Sequence, residues 1–408
     1  MTELILLNIS GPDKTGITAS LTEILAEYDA KILDIGQADI HHTLSLGILI
    51  KTDSTRSGEI LKELLFKTRD LNVQVHFDIV SEEDYNDWVS RQGKGRYIVT
   101  VLGREITARQ LAEVTKIISA QGLNIETITR LTGRMPLDET QQPLTKGCIE
   151  MTVRGTPADI VQMQADFMSL ASQLNFDISL QEDTIYRRSR RLICFDMDST
   201  LIRTEVIDEL ADRAGVGEEV RAITESAMRG EIDFNESFKR RVALLKGLDV
   251  SVMKEIAENL PITEGVERMM SVLKRSGYKT AILSGGFTYF GNYLKQRFGF
   301  DYVYANELEI GPDGKLTGNY VGDIVDGNRK KELLKLIAQV ENINIAQTIA
   351  VGDGANDLPM LSTAGLGIAF HAKPKVKAEA SQSISTIGID GVLYFLGFKD
   401  SYIQPCGQ

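Results

Sequence analysis

Acidic and hydroxyl side chains follow short apolar segments in the second half of the chain, and a lysine precedes one of these segments. Asp196 and Asp198 come directly after one apolar run, and Ser284 with two glycines comes directly after a second. The segment 352–357, GDGAND, follows a third run, and Lys330 lies near the start of the helical pattern before that run. Carboxylates, a hydroxyl and an ammonium group in this combination are suited to phosphoryl transfer.

Three of these carboxylates, Asp196, Asp198 and Asp353, are predicted to bind Mg²⁺. Apolar runs that alternate with helical patterns predict a parallel sheet with helices on both faces, and the carboxyl ends of such strands meet at one edge. Unit charges about 4 Å apart repel by roughly 4 kcal/mol at an effective dielectric of 20. A bound cation removes this repulsion, and oxygen ligands without His or Cys favour Mg²⁺ over zinc.

The same residues can be given roles in catalysis. Asp196 is predicted to be the nucleophile, and Asp198, two residues along the strand, the general acid and then the general base. Ser284, the backbone N–H of Gly285 and Lys330 are predicted to bind phosphate oxygens. The alternative is that these aspartates are helix caps and turn residues, but capping does not require this combination of motifs.

The first third of the chain contains two similar units, each with the predicted order β-α-β-β-α-β. Their predicted bounds are 1–82 and 96–183, and apolar residues of the first unit meet apolar residues of the second at a shift of 93 positions. This order is typical of small α+β domains. An acidic stretch at 81–88 separates the two units, and the basic run at 186–191 is predicted to be a solvated linker.

Composition excludes several classes of protein. An apolar fraction of 43% and a charged fraction of 25% exclude a mainly disordered or fibrous chain. The net charge of −12 argues against a general nucleic-acid or membrane-surface binder. Three widely spaced cysteines suggest neither a disulfide framework nor a zinc cluster, and no apolar stretch approaches a membrane span. We expect a cytoplasmic protein.

The motifs DMDST at 196–200, SGG at 284–286, Lys330 and GDGAND resemble those of the haloacid-dehalogenase superfamily. Within it, the chain is similar to the phosphoserine phosphatases, and the first 185 residues resemble two ACT domains. The resemblance implies an α/β Rossmann-like domain at 190–408 with a helical cap at about 205–262. It also implies Mg²⁺-dependent hydrolysis of O-phospho-L-serine through an aspartyl-phosphate, in the last step of serine biosynthesis.

The resemblance also implies a substrate pocket. Glu205, Met228, Phe234 and Arg241 match pocket-lining positions of the family. Glu205 is expected to pair with the substrate ammonium, Arg241 to bind the carboxylate, and the two apolar side chains to exclude water. Asn356 of the GDGAND motif is expected to contact the substrate. The residue pattern alone leaves open the choice between adjacent basic residues, which the family match resolves in favour of Lys330 over Lys331 and Arg241 over Arg240.

The first ACT-like unit has a candidate effector loop. Gly11, Asp13 and Gly16 lie in the segment that joins the first strand to the first helix, where free N–H groups suit a small carboxylate. The resemblance implies amino-acid binding there, with serine as a feedback signal. The corresponding loop of the second unit, which starts at Gly103, lacks the second glycine. The alternative is that both units serve only dimerisation.

Other functions stay open at this point. The substrate could be another small phosphomonoester, or the phosphoryl group could pass to an alcohol. A regulatory amino-acid sensor with a vestigial phosphatase domain is a further alternative, which the complete set of motifs disfavours. A homodimer or higher homo-oligomer is expected, because ACT modules commonly pair.

Overall fold

The computed structural model describes residues 2–90, 95–134, 145–380 and 382–403. The chain divides into two compact units, Met1–Lys94 and Gly95–Gln408. The first unit contains one of the predicted βαββαβ domains. The second contains the other βαββαβ domain together with all residues of the predicted catalytic motifs.

The first unit is a four-stranded antiparallel sheet in the order β2-β3-β1-β4, with two helices on one face. Its core forms because alternate residues of the strands, such as Ile5, Leu7 and Ile9, meet buried leucines of the helices. The elements are β1 Thr2–Pro12, α1 Ile17–Glu27, β2 Lys31–Ile40, β3 Thr43–Asp53, α2 Ser57–Asp70 and β4 Gln74–Val80. The predicted order is confirmed.

The acidic stretch after β4 is a helix, α3, at Glu82–Ser90. The sequence pattern had indicated only a separator between the two units here. Three acidic side chains, Glu82, Glu83 and Asp84, occupy the first turn of the helix, where negative charge interacts favourably with the helix dipole.

The second βαββαβ domain repeats this architecture, with strand order β6-β7-β5-β8. Its elements are β5 Arg96–Gly103, α4 Ala108–Ala120, β6 Asn124–Arg130, β7 Gly147–Arg154, α5 Ile160–Leu174 and β8 Asp177–Glu182. Leu102, Leu131 and Cys148 of this domain belong to the hydrophobic core of the residues that follow it. This domain and the remainder of the chain therefore fold as one unit.

The remainder, residues 190–403, is called the large domain here. Its seven strands lie in the order β12-β11-β10-β9-β13-β14-β15, and all neighbours are parallel except β11 and β12. The strands are β9 Leu192–Phe195, β10 Lys279–Phe287, β11 Tyr302–Ile310, β12 Leu316–Val321, β13 Thr348–Gly352, β14 Leu366–Phe370 and β15 Gln382–Ile384. The predicted Rossmann-like α/β fold is confirmed, and β11 and β12 form an antiparallel hairpin at the edge of the sheet.

The helices divide into two groups. The first comprises α6 Ile185–Arg188, before β9, and four helices that follow β9: α7 Val206–Ala214, α8 Gly217–Met228, α9 Phe234–Leu244 and α10 Ser251–Glu258. The second comprises α11 Val266–Arg275, α12 Thr288–Phe298, α13 Gly327–Val340, α14 Leu358–Thr363, α15 Pro374–Glu379, α16 Gly391–Phe395 and α17 Asp400–Ile403. Helices α7 to α10 lie within 205–262, the range of the predicted cap, and are called the cap here. The chain enters and leaves it through an antiparallel bridge between Ile202 and Ile262.

The prediction of a solvated linker at 186–191 is wrong for two of its arginines. Arg187 and Arg190 are buried. The guanidinium of Arg187 donates to Glu150 at 2.6 Å, and that of Arg190 donates to Gln181 at 3.1 Å. These contacts form because the βαββαβ domain packs against the large domain, which the local charge pattern does not reveal.

Two further findings concern the composition arguments. Within the described ranges, no helix combines the length and apolar character that crossing a membrane requires. Cys148 and Cys194 are buried and free, while Cys406 lies outside the described residues. Burial raises the pKa of both thiols.

Candidate active site

Asp196 lies at the carboxyl end of β9, in the middle of the seven-stranded sheet. Its N–H donates to the carbonyl of Val351 at 2.9 Å, which fixes the start of the loop against β13. Its Oδ1 accepts a hydrogen bond from the N–H of Met197 at 2.8 Å and lies 2.8 Å from Nζ of Lys330. One carboxylate oxygen is thus held in place by two donors.

Lys330 is fully buried on α13, where Asp326 caps the first turn. Its Nζ also lies 2.7 Å from Oδ1 of Asp357. Burial opposes the charged ammonium, but the carboxylates of Asp196 and Asp357 outweigh burial and raise the pKa of Lys330. The neighbouring Lys331 is only half-buried. The structure therefore brings Lys330 to the carboxylates.

Three carboxylates converge at the edge of the sheet. One oxygen from each of Asp196, Asp353 and Asp357 lies within 4.8 Å of the others. The hydroxyl of Thr200 donates to Oδ1 of Asp353 at 3.2 Å, and the N–H of Gly354 donates to Oδ2 of Asp357 at 3.0 Å. Two of the three predicted metal ligands, Asp196 and Asp353, belong to this group. The third predicted ligand, Asp198, does not, and Asp357, which the sequence pattern did not single out, lies there instead.

The donor set of these three carboxylates fits a hard divalent cation. Burial, then the charges of Asp357 and Glu205, raise the pKa of Asp353 to about 7. Burial and the Asp357 carboxylate also raise the pKa of Asp196, although Lys330 acts against them. A cation bound to oxygen ligands would remove both the repulsion and the cost of burying the charges.

Asp198 is separate from this group of three carboxylates. Its Oδ1 accepts a hydrogen bond from the N–H of Val206 at 3.1 Å. Its other oxygen lies where a side chain at Gly286 would collide with it, so this position requires glycine. Burial, and then the charges of Glu205 and Asp196, raise the pKa of Asp198 well above its usual value. Asp198 is therefore suited to carry a proton at neutral pH.

Ser284 is fully buried in the second half of β10. Its Oγ accepts a hydrogen bond from the N–H of Gly286 at 2.9 Å. The carbonyl of Gly285 accepts from Nδ2 of Asn306 at 2.8 Å, and Oδ1 of Asn306 accepts from the N–H of Val325. Asn306, to which no sequence pattern pointed, thus fixes the part of β10 that carries Ser284 and Gly285.

The cap contributes Glu205, Phe234 and Arg241 above the part of β10 that carries Ser284 and Gly285. The ring of Phe234 comes so close to Gly285 that a Cβ there would lie 2.9 Å from it. The hydroxyl of Ser199 donates to Glu205 at 2.8 Å. Burial raises the pKa of Glu205, and the guanidinium of Arg241 acts in the opposite direction. Arg240 is exposed and pairs with Glu236, so Arg241 is the arginine that faces the acidic residues.

Sequence patterns of known families match nearly the whole chain. The haloacid dehalogenase-like hydrolase family matches residues 190–365, and two ACT domain families match residues 3–78 and 96–181. The phosphoserine phosphatase of Streptomyces coelicolor is 38% identical over 402 residues, which cover 98% of this chain and 93% of the relative. The chain belongs to the phosphoserine phosphatase family of haloacid dehalogenase-like hydrolases.

Other members of the phosphoserine phosphatase family agree with this assignment. The phosphoserine phosphatase SerB2 of Mycobacterium tuberculosis is 37% identical over 404 residues, with 98% of this chain and 94% of the relative covered. The crystal structure of a probable phosphoserine phosphatase from Vibrio cholerae has a TM-score of 0.59 and 34% identity over 75% of this chain and 87% of that one.

Met228 and Asn356 are the remaining predicted pocket residues of this family member. Met228 ends helix α8, but its side chain lies outside the part of the structure that is described. Asn356 is half-buried in a 3-10 turn at Ala355–Asp357, and its carbonyl lies against Gly327 at the start of α13. The motif therefore packs directly on the helix that carries Lys330.

The site of this phosphatase family member contains one carboxylate more than the prediction. Asp357 is the last residue of the motif, four positions after Asp353. In an extended chain these two residues would lie far apart, but the 3-10 turn brings both carboxylates to Asp196. The four-residue spacing of Asp353 and Asp357 therefore indicates a shared site only when the 3-10 turn between them is known.

Proposed function

We propose that this protein hydrolyses O-phospho-L-serine to L-serine and inorganic phosphate with bound Mg²⁺. The observation that carries the proposal is the position of Asp196, whose Oδ1 lies 2.8 Å from Nζ of Lys330 beneath acidic and basic cap residues. Membership of the phosphoserine phosphatase family supports the choice of substrate, because relatives that align with 98% of the chain bear that name.

In the first step, a carboxylate oxygen of Asp196 attacks phosphorus and the bond from phosphorus to the serine oxygen breaks. Asp198 donates its proton to that oxygen, which leaves as the hydroxyl of serine. The pKa of Asp198, raised by burial and neighbouring charge, supports this role because it favours the protonated carboxyl. The product of the step is a phosphoryl group bound to Asp196.

In the second step, water attacks phosphorus of the aspartyl-phosphate. Asp198, now a carboxylate, accepts the proton of the water, and the bond between phosphorus and the Asp196 oxygen breaks. Inorganic phosphate leaves and Asp196 is again a carboxylate. Asp198 thus ends the cycle protonated, as it began.

The remaining charges bind the phosphoryl group. Lys330, the hydroxyl of Ser284 and the N–H of Gly285 would donate to its oxygens. Asp196, Asp353 and Asp357 would hold Mg²⁺, whose charge would offset that of the phosphate. The three carboxylates have only oxygen donors and are largely buried, which suits Mg²⁺.

The cap residues would recognise the serine part of the substrate. Arg241 can bind the substrate carboxylate with two hydrogen bonds, and Glu205 can pair with the ammonium group. Phe234, which lies over Gly285, would exclude water from the reacting atoms.

A phosphate-release assay tests the proposal. We expect phosphoserine to have the highest kcat/KM among phosphoserine, phosphothreonine, phosphoethanolamine and p-nitrophenyl phosphate, and activity to disappear on chelation and return with Mg²⁺. Asp196→Asn should abolish turnover, whereas Asp212→Asn, an exposed pairing partner of Arg221, should not. A higher kcat/KM for another phosphomonoester, or phosphoryl transfer to added alcohols in place of hydrolysis, would contradict the proposal.

We also propose that serine binds the first ACT domain at the loop before α1. Gly16, with a φ of 95°, precedes this helix without a side-chain cap, so the first N–H groups are free to bind a carboxylate. Gly11 packs so closely on Val73 that a Cβ would lie 3.0 Å from its Cα. Asp13 is exposed beside them and could hold the ammonium.

Calorimetry of the full chain with L-serine tests this second proposal, with Asp13→Asn as the variant and Asp29→Asn as the exposed control. We expect heat of binding that the Asp13 change reduces and the control does not. No heat in the wild-type protein would leave only a role in assembly, and equal heats in all three proteins would contradict the proposed role of Asp13. The homodimer and the cytoplasmic location stay predictions.

A further inference from the structure

An ionic contact joins the second ACT domain to the segment at which the cap returns to the large domain. Arg104, in the loop between β5 and α4, donates to both carboxylate oxygens of Glu264, at 3.0 and 2.7 Å. Its Nε donates to the carbonyl of Thr386 at 3.1 Å. A planar guanidinium bound to both oxygens fixes the orientation of the carboxylate as well as its position.

This contact belongs to a network of three cations and three carboxylates. Nζ of Lys146 lies 2.6 and 2.5 Å from the two oxygens of Asp390, and 3.8 Å from Glu264. Arg268, on α11, binds Asp390 at 2.6 Å and Asp400 at 2.7 Å. Since Asp390 is fully buried and has two cationic partners, the network has a fixed centre next to Glu264.

The backbone on the other side of Glu264 is equally constrained. Its carbonyl accepts a hydrogen bond from the N–H of Ile389 at 2.8 Å. A side chain at Gly388 would collide with that carbonyl, and one at Gly265, whose φ is 89°, would collide with Asp390. Glu264 is therefore held by its side chain and its backbone at once.

Glu264 directly follows the returning connection of the cap. The N–H of Thr263 donates to the carbonyl of Leu201 at 3.0 Å, and the bridge between Ile202 and Ile262 comes next. These residues are the cap hinge, defined here as 201–204 and 261–263. The outgoing connection continues into Glu205, so the position of the hinge sets where the cap begins.

We propose that Arg104 and Glu264 are positioning residues for the cap: their pair fixes the hinge and thereby the placement of Glu205 and Arg241 above Asp196. The effect on phosphoserine selectivity rests on the proposed function, whereas the effect on the hinge does not. The Arg104 loop corresponds to the effector loop of the first ACT domain, but here its charged side chain serves the hinge.

Amide hydrogen exchange of the full chain tests the effect on the hinge. The variants are Arg104→Met and Glu264→Gln, and the control is Gln382→Ala. Gln382 joins the same two domains through both backbone groups of Leu180, at 3.1 and 2.8 Å, but it does not touch the hinge. We expect the amides of Arg203 and Thr263 to exchange about tenfold faster in both variants than in the control.

Kinetics give the second measurement. We expect kcat/KM for phosphoserine to fall by about tenfold in each variant, and by no more in the double variant, while p-nitrophenyl phosphate changes less than twofold. Hinge exchange in Glu264→Gln equal to that in Gln382→Ala would overturn the proposal, as would equal losses for the two substrates. Wild-type protein without activity on phosphoserine would instead refute the proposed function, and the exchange ratio would still decide the role of the pair.

Discussion

Nζ of Lys330 lies 2.8 Å from Oδ1 of Asp196, and both side chains are buried. The same ammonium binds Asp357, so one cation compensates two buried carboxylates. The other acidic side chains of the site are Asp353, Asp198 and Glu205, and Lys330 does not contact them directly. Lys330 therefore has a structural effect as well as its proposed role in binding phosphate.

Replacing Lys330 with Met should destabilise the protein and remove activity. Breaking a buried ion pair by removing one partner costs about 3–5 kcal/mol, because it leaves charge uncompensated. We expect denaturant unfolding without divalent cation to show a loss of this size, and added Mg²⁺ to recover part of it. Lys331→Met is the matched control, since Lys331 is the half-buried neighbour. Equal stability of the two variants would contradict this account of the charges.

Asp198→Asn should slow both chemical steps without preventing substrate binding. General acid and base catalysis contributes about 10²–10⁴-fold, so kcat should fall within that range while KM changes little. Asn cannot activate the water, so the aspartyl-phosphate should also persist. Trapping of ³²P on acid-quenched protein measures this, with Asp196→Asn as the unlabelled control. A variant with normal kcat would remove Asp198 from the mechanism.

Metal binding should become tighter as pH rises. The pKa of Asp353, raised by burial and neighbouring charge to about 7, is above its unfolded value. Between these two pKa values Asp353 keeps a proton in the metal-free folded state that it has lost in the unfolded state. The contribution of Asp353 to the free energy of unfolding therefore falls as pH rises from about 4 to about 7. Mg²⁺ must displace that proton at low pH, so its affinity should rise up to pH 7 and then level off.

The shift in Tm caused by Mg²⁺, measured at pH 5.5 and pH 8, checks this dependence. We expect a clearly larger shift at pH 8, and a smaller difference between the two pH values in Asp353→Asn, which cannot titrate. An equal shift at both pH values in the wild type would argue against Asp353 as a proton-linked ligand.

The order of elements was predictable because the apolar residues of each helix or strand repeat with the period of that element, as in α2 at Ser57–Asp70. Asp196 and Ser284 were predictable for a related reason, since each follows an apolar strand. The burial of Arg187 and Arg190 was not, because their partners Glu150 and Gln181 lie in another domain. Asp357 and Asn306 depend in the same way on a local turn and on tertiary contacts.

Arg241 and Glu205 should determine which part of the substrate is recognised. Arg241→Ala should raise KM for phosphoserine, with a loss in kcat/KM of about 10-fold or more, because an ionic hydrogen bond contributes about 1.5–3 kcal/mol. The same variant should treat phosphoethanolamine, which lacks the carboxylate, almost as the wild type does. Glu205→Gln should weaken the binding of both phosphoserine and phosphoethanolamine, since both carry the ammonium group.

Arg240→Ala is the control for Arg241, because Arg240 is exposed and paired with Glu236. We expect it to leave both substrates unchanged within about twofold, since exposed ion pairs contribute little. Steady-state kinetics of the three variants on the two substrates separate the contributions. Loss of phosphoethanolamine activity in Arg241→Ala as large as the loss for phosphoserine would mean that this arginine supports the cap and does not bind the carboxylate.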